Sequence, residues 1–82
     1  MKRNVEVTIE GCILKGVEPG CILLETSGHT KKVYSLHGAS LPEFGKGLGV
    51  QVTGTVGGVS QCLQGEPFQV NAWEWTRQRC PR

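Results

Sequence analysis

The chain has 82 residues, 38% of them hydrophobic, with 12 Gly and 4 Pro. That suits one modest core rich in turns and leaves no material for a second domain. All seven acidic residues are Glu and the net charge is only +2, which excludes a Ser-His-Asp triad, an Asp-rich calcium loop and an Asp-based magnesium site in their usual forms.

The N-terminal run Met1-Lys2-Arg3-Asn4-Val5-Glu6-Val7 has no apolar signal-peptide core, and no stretch is long and apolar enough for a membrane-spanning helix. The expectation is a cytoplasmic protein without membrane contact, although four cysteines leave export open. Val5, Val7 and Ile9 alternate with Glu6, Thr8 and Glu10, the period-two pattern of a half-buried strand. Ile13 keeps the phase, so the spacing predicts a first strand reaching Leu14 with a bend at Gly11. Glu18-Pro19-Gly20 predicts a turn, since Pro presets φ and Gly accepts a positive φ. Cys21-Ile22-Leu23-Leu24 reads as a second strand with little exposed face. Ser27-Gly28 marks a turn tip. Residues 31–36 return as a third strand, with Lys32, Tyr34 and Leu36 on one face and Val33, Ser35 and His37 on the other.

Residues 38–49 form the longest non-strand interval. Ser40-Leu41-Pro42-Glu43 fits a capping box, which predicts about one helical turn ended by Gly45 and Gly47. Leu41, Phe44 and Leu48 then face inward as a plug for one end of the core. Residues 49–56 form the clearest strand, with Val50, Val52 and Val56 on one face and Gly54 marking a sharp bend or a close backbone approach. Gly57-Gly58 signals a hairpin turn, and residues 59–63 return as a strand. Gly65-Glu66-Pro67 turns again before a last strand over residues 68–75. In that strand Phe68, Val70 and Ala72 are out of phase with Trp73 and Trp75, which predicts a bulge between the two sets.

Five or six strands with frequent turn signals predict an all-β fold, a small OB-like barrel with a one-turn helical plug between strands three and four. A single domain spans residues 1–82, with the folded body over about residues 4–76 and a basic C-terminal tail over 77–82. Lys32-Val33-Tyr34-Ser35-Leu36-His37-Gly38, Gly49-Val50-Gln51-Val52-Thr53-Gly54-Thr55-Val56 and Cys62-Leu63-Gln64-Gly65 resemble segments of short, functionally uncharacterised bacterial OB-fold proteins. The resemblance covers about residues 7–74 and implies a fold; its motifs specify strands and turns, not chemistry. Those proteins carry one Cys before the second strand and another ahead of the last, which Cys21 and Cys62 match. The resemblance therefore implies a Cys21–Cys62 disulfide, while Cys12 and Cys80 have no counterpart in it.

The cysteines at 12, 21, 62 and 80 contain no Cys-x-x-Cys pair, so neither a zinc ribbon nor a thioredoxin-type site is signalled. From spacing alone they read as reduced packing residues, as disulfides or as metal ligands. Gly45-Lys46-Gly47-Leu48-Gly49 leads into a strand and lacks the Lys-Ser/Thr of a phosphate-binding loop. His29 and His37 have no Asp to orient them, so no catalytic residue is assigned. Nor does anything imply a cofactor or a resident metal.

Five cations (Lys2, Arg3, Arg77, Arg79, Arg82) lie near the chain ends, leaving four Lys against seven Glu, a net −3, between residues 4 and 76. A nucleic-acid binder concentrates cations along the surface that tracks phosphates, and this body does not. The candidate ligand-binding residues are Lys31, Lys32, Tyr34, Trp73, Trp75 and Arg77. The sequence points to a non-catalytic binding or interaction module of undetermined ligand. A protein partner or a homo-oligomer would use the last strand. A weak single-stranded nucleic-acid binder and a disulfide-stapled protein-interaction domain in an oxidising compartment are the alternatives.

Overall fold

The computed structural model describes residues 5–16, 20–58, 62 and 64–80. Five strands follow in order, β1 (Val7–Lys15), β2 (Ile22–Thr26), β3 (Val33–His37), β4 (Leu48–Val56) and β5 (Glu66–Arg79). They form one sheet that closes on itself in the order β1-β2-β3-β5-β4. Every neighbouring pair is antiparallel except β3 and β5, which run parallel.

Closure depends on two residues without side chains. Gly11 pairs with Thr26 of β2 and with Val50 of β4, so β1 changes partner there. A Cβ at Gly11 would collide with the Glu25 carbonyl, and one at Gly54 with the Gln69 carbonyl. A Cβ at Gly54 would also come within 2.9 Å of Phe68 Cε1. The close approach at Gly54 is thus present as the sequence predicts, and Gly11 makes a close approach where the sequence predicts a bend.

Phe68, Val50, Val52, Leu24, Leu36 and Ile13 form the buried core, with Ile9, Ile22, Tyr34, Leu41, Val70 and Trp73 packed around it. Full burial of the Phe68 side chain stabilises by about 2–3 kcal/mol, and Tyr34 meets its ring edge-on at 5.6 Å. The last strand carries the expected bulge. Thr53 pairs with Ala72 and Gly54 with Val70, which leaves Asn71 as the extra residue and moves Trp73 and Trp75 onto the face of Val52 and Val50. β5 also runs beyond the expected end of the body at residue 76, to Arg79.

The helical plug is not present. Residues 38–47 contain bends and a turn, and Gly45 and Gly47 adopt φ of 98° and 76°. Pro42 disfavours the helical region at Leu41, and the few residues before Gly45 are too short to nucleate a helix. Glu43 pairs with Lys46 at 3.6 Å. Leu41 and Pro42 still turn inward, but Phe44 and Leu48 are 44% and 40% exposed. At the start of β1, Val5 and Val7 are exposed despite their apolar phase, because the strand meets β4 only from Val7 onward. The turn at Glu18-Pro19 and the return strand at residues 59–63 lie outside the described residues, apart from Cys62. Among the described residues no helix is long and apolar enough to cross a membrane.

Gly54→Ala forces backbone and Phe68 apart together and is expected to destabilise by about 2–4 kcal/mol, on the scale of severe core lesions. Thermal unfolding followed by circular dichroism, with the disulfides intact, should show a fall of roughly 10–25 °C.

Candidate interaction surface

Lys32, Tyr34 and Glu66 meet at one end of the ring. The parallel register sets Tyr34 beside Glu66, and Lys32 lies on the same face of its strand as Tyr34. The Lys32 Nζ reaches Glu66 Oε1 at 2.5 Å and sits 5.1 Å from the Tyr34 ring centroid. The hydrogen bond to Glu66, followed by the charge interaction with Tyr34, raises the Lys32 pKa. Thr26 holds the neck of the β2–β3 hairpin, its N–H donating to the Lys32 carbonyl and its hydroxyl accepting from the Lys32 N–H. Lys32 and Tyr34 are therefore already engaged within the chain.

Lys31 points elsewhere. It lines a shallow cavity of about 190 Å³ with Glu25, Ser27 and Gln78, where the Ser27 hydroxyl donates to Gln78 Oε1 at 2.9 Å. The end of β5 is tied there by a Cys12–Cys80 disulfide and by the Cys80 N–H donating to the Gly47 carbonyl. A second disulfide joins Cys21 to Cys62. All four sulfurs are thus bonded to one another, which removes the thiolates that nucleophilic or zinc chemistry at these positions would use.

The outward face of β2–β3 is covered. Leu24 and Leu36 point into the core, so Leu23 and Ser35 beside them point out, and these two are paired across the strands. They are nevertheless 3% and 0% exposed. Cys21 shares their outward phase and bonds Cys62 of the β4–β5 connector. Gly65 of the same connector lies flat on β3, leaving only 3.0 Å between a Cβ there and the Val33 carbonyl. Ser35 Oγ and His37 Nε2 share a hydrogen bond of 3.3 Å on this face.

Trp73 and Trp75 pack edge to face, 5.2 Å between centroids, on the part of β5 that accompanies β4. Trp73 leans on the core, whereas Trp75 is 36% exposed. Beside them a groove of about 450 Å³ runs between Ala39–Ser40 and the segment from Val70 to Trp73. Arg77 and Arg79 are exposed beyond the tryptophans. The candidate residues therefore fall into three places: Lys32 with Tyr34, Lys31 near the end of β5, and Trp73, Trp75 and Arg77 along the β5 ribbon. The partnership of Lys32 with Glu66 and the covering of Leu23 and Ser35 are absent from the sequence reading; each depends on a pairing across more than 10 residues that no local pattern encodes. Comparison with protein-family models, characterised proteins and solved structures found no match to this chain.

Two outcomes follow. Replacing both Cys12 and Cys80 by Ser is expected to lower stability by about 4 kcal/mol in the chain-entropy model, measured by denaturant unfolding against the unsubstituted chain. For Lys32, a raised folded pKa means that its contribution is complete below the ordinary lysine value of about 10.4 and is lost as pH rises through the higher folded value. An NMR titration of the Lys32 ε-methylene should give a midpoint above that ordinary value, and Glu66→Gln should bring it back down.

Proposed function

We propose that this chain is a small, non-catalytic OB-like barrel acting as an interaction module, and that its partner is a protein met in an oxidising compartment. The closed order β1-β2-β3-β5-β4 with a parallel β3–β5 pair supports the OB-like reading. The observation that carries the functional reading is the covered β2–β3 face. OB domains bind oligonucleotides and oligosaccharides on that face and its flanking loops, and here Leu23 and Ser35 on that face are buried, with Cys21 in the same phase bonded to Cys62. The surface left for a partner is the β5 ribbon with its tryptophans.

Two disulfides that each close more than 40 residues favour a compartment where such bonds persist. The nucleic-acid reading loses support because Lys32 and Tyr34 are engaged with Glu66 and Phe68, and Lys31 lines a different cavity from Trp73.

A mixed-sequence oligonucleotide should leave the tryptophan emission unchanged at near-millimolar concentration. The immobilised, oxidised chain should retain a protein at both about 50 and about 200 mM salt, and Trp75→Ala should release it. An oligonucleotide that shifts the emission, with affinity falling steeply over the same salt range, would overturn the proposal.

A further inference from the structure

The second half of β5 has one backbone edge to which no strand is paired among the described residues. β3 accompanies β5 only over residues 66–69, whereas β4 accompanies it over residues 68–79. An open strand edge is a template for another strand, and the segment along this edge is Trp73-Glu74-Trp75-Thr76-Arg77-Gln78-Arg79. Laid antiparallel on itself about Thr76, it sets Trp75 opposite Arg77, Trp73 opposite Arg79 and Glu74 opposite Gln78. No like charges meet, and each guanidinium faces an indole.

Trp73 packs against the core and Gln78 accepts from the Ser27 hydroxyl, so the pairing turns on Trp75, Arg77, Arg79 and Glu74. Arg77, Arg79 and Glu74 are exposed and form no ion pair among the described residues. Trp75 is exposed, and Trp73 meets it nearly perpendicularly at 84°. At residues 76–78 the strand leaves regular register with β4, and the Gln78 N–H donates to Thr76 Oγ1 within its own strand at 3.2 Å. Directly opposed residues of antiparallel strands bring their Cβ atoms within about 5 Å, within reach of an indole–guanidinium contact.

We propose that the occupant of this edge is a second copy of the chain, joined by antiparallel β5–β5 pairing about a two-fold axis at Thr76. Such an interface is isologous, the same patch serving both copies. The assignment rests on reading the β5 ribbon as the interaction surface and identifies what it meets. The tyrosine–lysine–glutamate cluster lies outside the contact, and the Cys12–Cys80 disulfide adjoins its end at Arg79.

Sedimentation velocity of the disulfide-intact chain, from about 10 μM to about 1 mM, reads the association directly. A shift from monomer to dimer mass is expected within that range. Trp75→Arg sets Arg against Arg and should weaken association at least about tenfold, while adding Arg77→Trp to it exchanges the two sides and should restore association to within about threefold. In a dimer mixed from labelled and unlabelled chains, intermolecular NOEs should link Trp75 of one copy to Arg77 of the other; this readout needs no variant. A monomer throughout, a dimer indifferent to Trp75→Arg, or a dimer lacking those NOEs overturns the proposal. A chain that stays monomeric yet captures a foreign protein through Trp75 sinks the second copy alone and leaves the interaction-module reading standing.

Discussion

The ring of strands closes because Phe68 lies where residue 54 has no side chain. Phe68 is fully buried, and its ring occupies the space that a Cβ at Gly54 would enter. The same glycine lets β4 come close enough to the Gln69 carbonyl for the two strands to coil tightly. With β5 held there, its first residues are brought against β3 in parallel and its later ones against β4. Two further features follow from that insertion. The Lys32–Glu66 pair exists because the parallel register sets Glu66 beside Tyr34, and the tryptophans reach the core face because the bulge at Asn71 shifts their phase.

The disulfides act on a different part of the problem. A chain this short buries too little surface to stabilise itself generously, and its two staples restrain the unfolded ensemble over separations of 68 and 41 residues. Their positions also shape the surface. Cys12–Cys80 fastens the far end of β5, so the ribbon bearing Trp75, Arg77 and Arg79 is held at both ends. Cys21–Cys62 fastens the β4–β5 connector beside the outward face of β2, where Leu23 is buried without belonging to the internal core. Leu23 and Ser35 on that outward face are thus withdrawn from solvent.

This arrangement separates two kinds of charge. Lys32 is spent on Glu66 and Tyr34, and Lys46 on Glu43. Arg77 and Arg79 follow the tryptophans on one strand. A strand that alternates aromatic and polar residues and then cationic and polar ones offers specificity by register, because a slip of one residue moves every side chain to the other face. It also limits promiscuous edge pairing, since most neighbours will not match indole with guanidinium.

The sequence by itself determined the strand class, the turn positions and the places where only glycine fits. Period-two alternation in β1 and β4 marked the strands, Gly54 marked a close approach, and the phase break between Val70 and Trp73 marked the bulge. These are local properties, written within a few residues of each other. The tertiary structure decided which faces are covered, and by what. Local pattern suggested a helix at Ser40-Leu41-Pro42-Glu43, but Pro42 and the positive-φ glycines left only a turn, with Pro42 buried, Leu41 half-buried and Phe44 exposed. It likewise decided that Cys12 meets Cys80, that Lys32 meets Glu66, and that Ser35 is buried on an outward face. The two pairs join residues 68 and 34 positions apart, and all three depend on closure of the ring. That closure is a cooperative result of packing around Phe68, and no short window of sequence contains it.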